Sequence, residues 1–321
     1  MRKVIVGLVV AIVVLLFGII GSMMMRTEPD RPDVAMQTVT DSTGKEVQIP
    51  LHPQRVVFLN VSNLDMYVAA GGKDAVVGRP TSHSISPELT AAVGNVPDVG
   101  IIHSPSLEKI LSLKPDLVIG LNVPFHNQLR DMLEQNHIPL YINSLDSYED
   151  TLQTMEFFGK LTGHEDIAAA KSAEIQKQCA DAIAMTQGKK GPTSLILFSN
   201  PASNSMASSS TFSGDLLKRL GGVNIADQDI TLQGQYIPLS MEYVVKHNPE
   251  AIFIISMGTT KDAMERFREQ MKTDDTWSQT DAVKNGFVYD LPMDLFTVNP
   301  GSRVGEAMLY MADCLYGQGG T

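Results

Sequence analysis

The chain has 321 residues, 43% of them hydrophobic and 6% aromatic, and a formal net charge of −11. That length suffices for two domains with cores of their own. The negative balance, with no block of Lys and Arg, argues against a nucleic-acid partner, because phosphate backbones are bound by clustered cations.

Residues 4–25 carry no charge and lie between Arg2 and Lys3 on one side and Arg26 on the other. The run is longer than a usual signal-peptide core and long enough to span a bilayer. No Ala-x-Ala site and no lipid-accepting cysteine follows, so residues 1–25 read as an uncleaved anchor; Gly21-Ser22 leaves the alternative of a cleaved signal and a periplasmic product. In both cases the positive-inside rule exports the remainder. Residues 26–37, proline-containing and acidic, read as a tether.

Residues 38–50 alternate in polarity and turn at 42–45, which predicts a β-hairpin. A strand at 56–59, a loop at 60–63 and a helix at 64–70 follow, the helix ending on Gly71-Gly72. A strand at 76–78 leads into a loop at 79–86. The next stretch occurs twice: SLEKILSLKPDLVI at 106–119 and SMEYVVKHNPEAIF at 240–253, offset by 134 residues. Each copy reads as a serine-capped helix with a glutamate in its first turn, an i, i+3, i+4 apolar stripe, a proline stop and a buried strand. A unit repeated at this separation predicts two similar α/β lobes.

Between the copies come a loop at 121–126, a helix at 127–136 and a strand at 139–142. Helix and strand alternating in this way predict a mostly parallel sheet. Residues 150–187 are helix-forming apart from Gly159 and Gly163, and 165–185 hold neither glycine nor proline. A helix midway between the copies is the natural connector. The expected division is therefore a lobe at 38–163, a connecting helix at 164–188 and a lobe at 189–321. The second lobe repeats the plan: a strand at 194–198, a serine- and asparagine-rich loop at 199–213, a helix at 215–220 ending on Gly221-Gly222, a strand to 255, a loop at 256–260, a helix at 262–272, a strand at 286–290, a loop at 291–300 and a closing helix at 303–316. Cys179 and Cys314 are read as one disulfide or as two buried thiols.

With these fragments in place, the chain resembles the periplasmic substrate-binding proteins of ABC importers for iron-siderophores, haem or cobalamin, the helical-backbone type. The likeness spans 38–317 and rests on TDSTGKEVQIPLHPQRVV, PSLEKILSLKPDLVIG, FFGKLTGHEDIA, LLKRLGGVN, LSMEYVVKHNPEAIFII and AVKNGFVYDLPMDLF, in the family's order. It implies α/β architecture: two similar lobes with mostly parallel sheets, joined by one long helix, with a ligand cleft between them and little hinge closure. It also implies an ABC permease and ATPase complex as partner, a monomeric binder, and docking of Glu108 and Glu242 into arginine pockets of the permease, a role suited to exposed carboxylates. The alternative role for each glutamate is to favour its own helix dipole. The departure from single-membrane relatives is the missing lipidated cysteine, for which the N-terminal anchor would substitute.

Ligands of open parallel sheets sit at the carboxyl ends of strands. The loops there carry Asn60, Ser62, Arg79, His83, His103, Asn122, Phe125 and His126 in the first lobe, and Asn200, Met206, Gln235, Tyr236, Met257 and Met293 in the second. Histidines on one side and methionines on the other would suit a haem iron held by His with Met or Tyr; each alone is as readily a surface histidine or a gap-filling methionine. Arg79, Lys261 and Arg303 are a thin supply of cations for an anionic catecholate siderophore. Phe125, Tyr236, Trp277 and Phe296 could wall a cobalamin. The expected cargo is an iron complex, siderophore or haem, with cobalamin as the alternative and no resident cofactor or metal. Two-lobed enzymes of nitrogenase-like or chelatase-like fold are a rival, but no G-x-S-x-G, H-E-x-x-H, G-x-x-x-x-G-K-[ST] or C-x-x-C is present, and no residue is nominated for catalysis. A membrane-anchored scaffold with a vestigial cleft is a second rival.

Overall fold

The computed structural model describes residues 35–317 except 83, 201–202, 230, 232 and 258–260, with 261–263 described in backbone alone. The expected anchor at 1–25, most of the tether and His83 lie outside the described residues. A hairpin of β1 (Met36–Thr40) and β2 (Glu46–Pro50) opens the fold. It leads into β3 (Val56–Phe58), α1 (Val61–Ala69), β4 (Val76–Gly78), α2 (Pro87–Val93) and a small hairpin of β5 (Gly100–Ile101) and β6 (Ser104–Pro105). Then come α3 (Leu107–Ser112), β7 (Leu117–Gly120), α4 (Pro124–Asn127), α5 (Arg130–Gln135), β8 (Leu140–Ile142) and α6 (Tyr148–Thr162). Strands β4-β3-β7-β8 form a sheet in that order, all parallel. Its strands β3, β7 and β8 are buried throughout, as expected of a parallel sheet covered on both faces.

Helix α7 (Glu165–Ala184) follows α6 after Gly163, which adopts φ +73° and ends α6 in a left-handed cap. The second sheet is built from β9 (Thr193–Asn200), β10 (Ser203–Ala207), β11 (Val223–Asn224), β12 (Tyr236–Pro238), β13 (Ala251–Ser256) and β14 (Val288–Asp290). Its order is β12-β10-β9-β13-β14, with β11 also on β9. The pairs β11–β9, β9–β13 and β13–β14 are parallel; β10 is antiparallel to β9 and β12. Around this sheet lie α8 (Phe212–Arg219), α9 (Met241–His247), α10 (Lys261–Thr273), α11 (Asp281–Asn285), α12 (Met293–Phe296) and α13 (Val304–Tyr316).

The repeated stretch is repeated in atomic detail. Ser106 Oγ accepts from Lys109 N and Ser240 Oγ from Tyr243 N, both at 3.3 Å, so each serine caps its helix. Ile110 and Val244 are fully buried at matching positions. Lys114 and Asn248, just ahead of the prolines, both take positive φ, 46° and 42°. The acid after each proline then holds the neighbouring strand at its entrance. Asp116 accepts from Gln54 N (2.7 Å) and Arg55 N (3.0 Å) before β3, and Glu250 from Thr193 N (2.8 Å) at β9.

One core cluster runs through both sheets and the helices between them: Phe58, Phe158, Ile175, Cys179, Ala182, Phe253, Met308 and Met311 all belong to it. Helix α7 packs along α6 and α13 and contributes Ala168, Ile175, Cys179 and Ala182 as its buried stripe. Separate clusters fill the other face of each sheet. Cys179 and Cys314 are free thiols, and burial pushes them up to about 12 and about 11.

Four expected loops are corrected: α4 begins inside 121–126 and α12 lies inside 291–300, each opened by a proline, Pro124 and Pro292. Residues 60–63 are not a loop: Val61 already starts α1, and Ser62 and Asn63 are buried in its first turn. Residues 199–213 hold strand β10, whose polar sequence hides it. It exists because it pairs on both sides, Met206 facing Leu197 on β9 and Ile237 on β12.

Arg130 and Asp41 form a buried ion pair at 2.5 Å, with side-chain exposures of 5% and 0%. Burial pushes the Asp41 carboxyl up, but hydrogen bonds from Thr43, Arg130 and Lys45 outweigh it and leave its pKa below the usual range. Its folded value lies below its unfolded one, so its contribution is present above the unfolded pKa and lost as pH falls through the folded one. Asp41→Asn is expected to cost about 3 kcal/mol in urea unfolding at pH 7 and to flatten the acid limb of stability against pH; an unchanged acid limb would contradict the assignment.

Candidate ligand-binding cleft

A cleft of about 360 Å³ opens between the carboxyl ends of β7 and β8 on one side and elements around the second sheet on the other. From the first-lobe side it is lined by Ser62 of α1, residues 121–123 after β7 and residues 144–146 after β8. From the other side come residues 211–213 at the start of α8, Gln235 and Tyr236 at β12, and residues 296–299 after β14.

The base of the cleft is a buried hydrogen-bond seam. Ser62 Oγ donates to the Asn299 carbonyl at 2.6 Å, and Asn299 Nδ2 donates to Thr151 Oγ1 of α6 at 3.0 Å. Asp65, one α1 turn on, accepts from Ser302 N at 2.6 Å. Behind Ser62, Asn63 donates to Asn60 Oδ1 and to the carbonyl of Asn143, while Asn143 Nδ2 reaches Asn63 Oδ1 and Thr154 Oγ1. A second tie joins α6 to α8: Tyr148 N donates to Asp215, and Arg219 pairs with Asp215 and Glu149 while lying 4.8 Å over the Tyr148 ring.

None of the lining residues is Lys, Arg or His; Asp146 and Tyr236 are the ionisable ones. Desolvation raises the Asp146 carboxyl against a hydrogen bond from Gln235, and Asp150 raises it further. Desolvation likewise raises the Tyr236 phenol, with Asp146 adding to the effect. The Tyr236 ring leans on Phe198, centroids 4.9 Å apart. Thr297 Oγ1 is buried in the wall without a hydrogen-bond partner, a group that a bound ligand or water can satisfy.

Of the residues singled out from sequence, the structure brings Ser62, Asn122, Gln235, Tyr236 and Phe296 together in this cleft. The others stand elsewhere. Asn60 is buried behind Ser62, holding Asn63. Arg79 spends its guanidinium on the carbonyls of Pro80 and Gly94. His103 packs edge-on against Phe125 at 5.4 Å, on an exposed surface outside the lining. His126 is fully buried: Nδ1 accepts from Leu121 N at 2.9 Å and Nε2 faces the Ile102 carbonyl at 3.0 Å, so both ring nitrogens are engaged and Nε2 carries the proton. Met206 is a core residue at 1% exposure. Met257 is half-buried just past β13. Met293 lies over a different hollow, of about 420 Å³, beside Met264, Ser256 and Asp290. Glu108 and Glu242 are exposed in the first turns of α3 and α9, and neither forms an ion pair among the described residues. Sequence reading missed Ser144, Asp146, Thr211, Ser213, Thr297 and Asn299. The carboxyl-end rule, carried to β8, reaches Ser144 and Asp146.

Burial pulls the His126 pKa down from 6.5 to about 4. Between those values the unfolded chain binds the proton more readily, so stability falls as pH drops through the window. In an NMR titration the His126 ring is expected to stay neutral down to about pH 4; a midpoint at the ordinary histidine value would contradict the brace described here.

Comparison with known proteins agrees with this architecture. The family described as "Periplasmic binding protein" matches residues 56–295. The high-affinity haem uptake system protein IsdE of Staphylococcus aureus is 27% identical over 243 residues, covering 75% of this chain and 80% of that one. The structure of S. aureus IsdE complexed with haem aligns with TM-score 0.71 at 25% identity, over 82% of this chain and 98% of the other. An ABC transporter substrate-binding protein from Listeria monocytogenes EGD-e aligns with TM-score 0.72 at 26% identity, over 83% and 99%. With the match running from β3 to α12, through both sheets and the helix between them, the chain belongs to the periplasmic binding protein family.

Proposed function

We propose that this protein is the extracytoplasmic solute-binding component of an ABC importer, which holds an iron complex between its lobes and delivers it to a permease and ATPase complex. The observation that carries the reading is the cleft itself: elements of both sheets wall one cavity whose base is already tied by Ser62, Asn299 and Asp65. No group of three or more His, Cys, Asp or Glu among the described residues is arranged to hold a metal ion. The cleft therefore suits a metal that arrives wrapped in its own organic ligand. Haem-binding IsdE, similar in sequence and in fold, supports that class of cargo. Recognition by Asn122, Gln235, Tyr236 and the aromatic Phe212 and Phe296 needs binding but no covalent step.

Residues 4–25 would hold the binder beside its permease, raising its effective concentration there; cleavage after Gly21 would instead release it. No helix among the described residues is long and apolar enough to cross a membrane. Glu108 and Glu242, one per repeat and both without an ion pair among the described residues, are proposed to dock the two lobes on arginines of the permease.

Absorbance titration of the full chain with haemin, ferric siderophores and cobalamin is expected to give saturable one-to-one binding with an iron complex and no chemical conversion. Turnover of the ligand would point to an enzyme, and absence of binding to a scaffold. Reversing both docking charges, Glu108→Lys with Glu242→Lys, is expected to abolish uptake while leaving affinity unchanged; a loss of affinity would overturn the docking role.

A further inference from the structure

The cleft has a sign of charge, and one residue sets it. Among the described residues, Asp146 is the sole carboxylate of the lining, and the lining holds no lysine, arginine or histidine. The groups around it deepen this bias. Asp150 accepts from Asp146 N at 3.1 Å, and Asp215 stands near enough to Asp150 for the two charges to interact. The cation of this region, Arg219, is spent on Asp215 and Glu149; Lys218 bears on Asp215 from an exposed position. Arg303 pairs with Asp294 and Glu306, and Arg79 is bound to backbone carbonyls, so neither guanidinium is free for an anionic ligand. The Gln235 side chain meets Asp146 from the second lobe, so the carboxylate sits where the two walls come together.

We infer that Asp146 is a specificity-determining residue which, among ferric siderophores, makes the cleft favour those of neutral or positive net charge over multiply anionic ones. This rests on the reading of the cleft as the iron-complex site. A multiply anionic complex would lose part of its hydration while facing Asp146 without a counter-charge, and such a like-charge approach penalises the wrong partner. A ferric trihydroxamate fits: its metal centre is neutral, and a pendant ammonium can pair with Asp146. Tyr236, kept protonated by its surroundings, offers a phenolic donor to hydroxamate oxygens beside that pair.

The test uses the full chain and three ferric probes: ferrioxamine B with its free ammonium, the same complex N-acetylated and so neutral, and the trianionic tris-catecholate of enterobactin. Affinities are measured for the wild type, Asp146→Asn and Asp146→Glu. The expected order in the wild type is ammonium, then acetylated, then tris-catecholate, with the first two separated by roughly threefold to tenfold at low salt and less at high salt. Asp146→Asn is expected to erase the difference between the two hydroxamates and Asp146→Glu to keep it. Tightest binding of the tris-catecholate, or an unchanged hydroxamate ratio in Asp146→Asn, would overturn the inference while leaving the cleft as the iron-complex site. Failure of all three probes and of haemin to bind would overturn that underlying reading, and the inference with it.

Discussion

The buried hydrogen bond from Ser62 to the Asn299 carbonyl is the contact on which the rest of the arrangement turns. It joins the first turn of α1 to the chain returning from β14, and it does so where water is excluded. Most polar groups beside it find a partner, Asn60 Nδ2 and Thr297 Oγ1 excepted, because an unmet one costs about 1–3 kcal/mol. That requirement explains the concentration of Asn60, Asn63, Asn143, Thr151, Thr154 and Asn299 in one buried cluster, an unusual composition for a protein interior. The same seam, with Asp65 on Ser302 and α7 packed along α6 and α13, fixes the two sheets against each other at several points. A cleft built on such a base is largely preformed, so little binding energy is consumed in ordering it.

The repeat supplies a matching helix and parallel strand to each sheet. In each copy the serine cap starts a short helix, the residue with positive φ turns it, and the acid after the proline grips the entrance of the adjacent parallel strand. The strands so placed, β7 and β13, lie beside β3 and β9 in register. The carboxyl end of β7, and with it the cleft loop at 121–123, is therefore aimed by local chemistry that the sequence writes twice.

What was legible follows from this. β7 and β13 announced themselves as apolar runs behind a proline, and α7 as a long stretch without glycine or proline, because these signals are local. Strand β10 was not legible: Ser203, Asn204 and Ser205 look like loop, and only β9 and β12 on either side make them a strand. Ser62 and Asn63 looked like loop for the same reason, their burial being arranged by residues more than fifty positions away. In the cleft, Asn122 follows β7 as the strand-end rule expects, whereas Tyr236 opens β12, and the rule could not tell a histidine that faces a ligand from one that braces a turn. His126 is the second kind, and nothing in its neighbours along the chain says so.

The central claim is that the cargo's metal sits between the lobes. Iron-edge anomalous scattering from crystals of the protein with a bound ferric complex tests it most directly. The account predicts a single iron peak in the cleft, between the loop of Asn122 and the β12 wall of Tyr236. A peak in the hollow beside Met293, or on the exposed surface at His103 and Phe125, would contradict it.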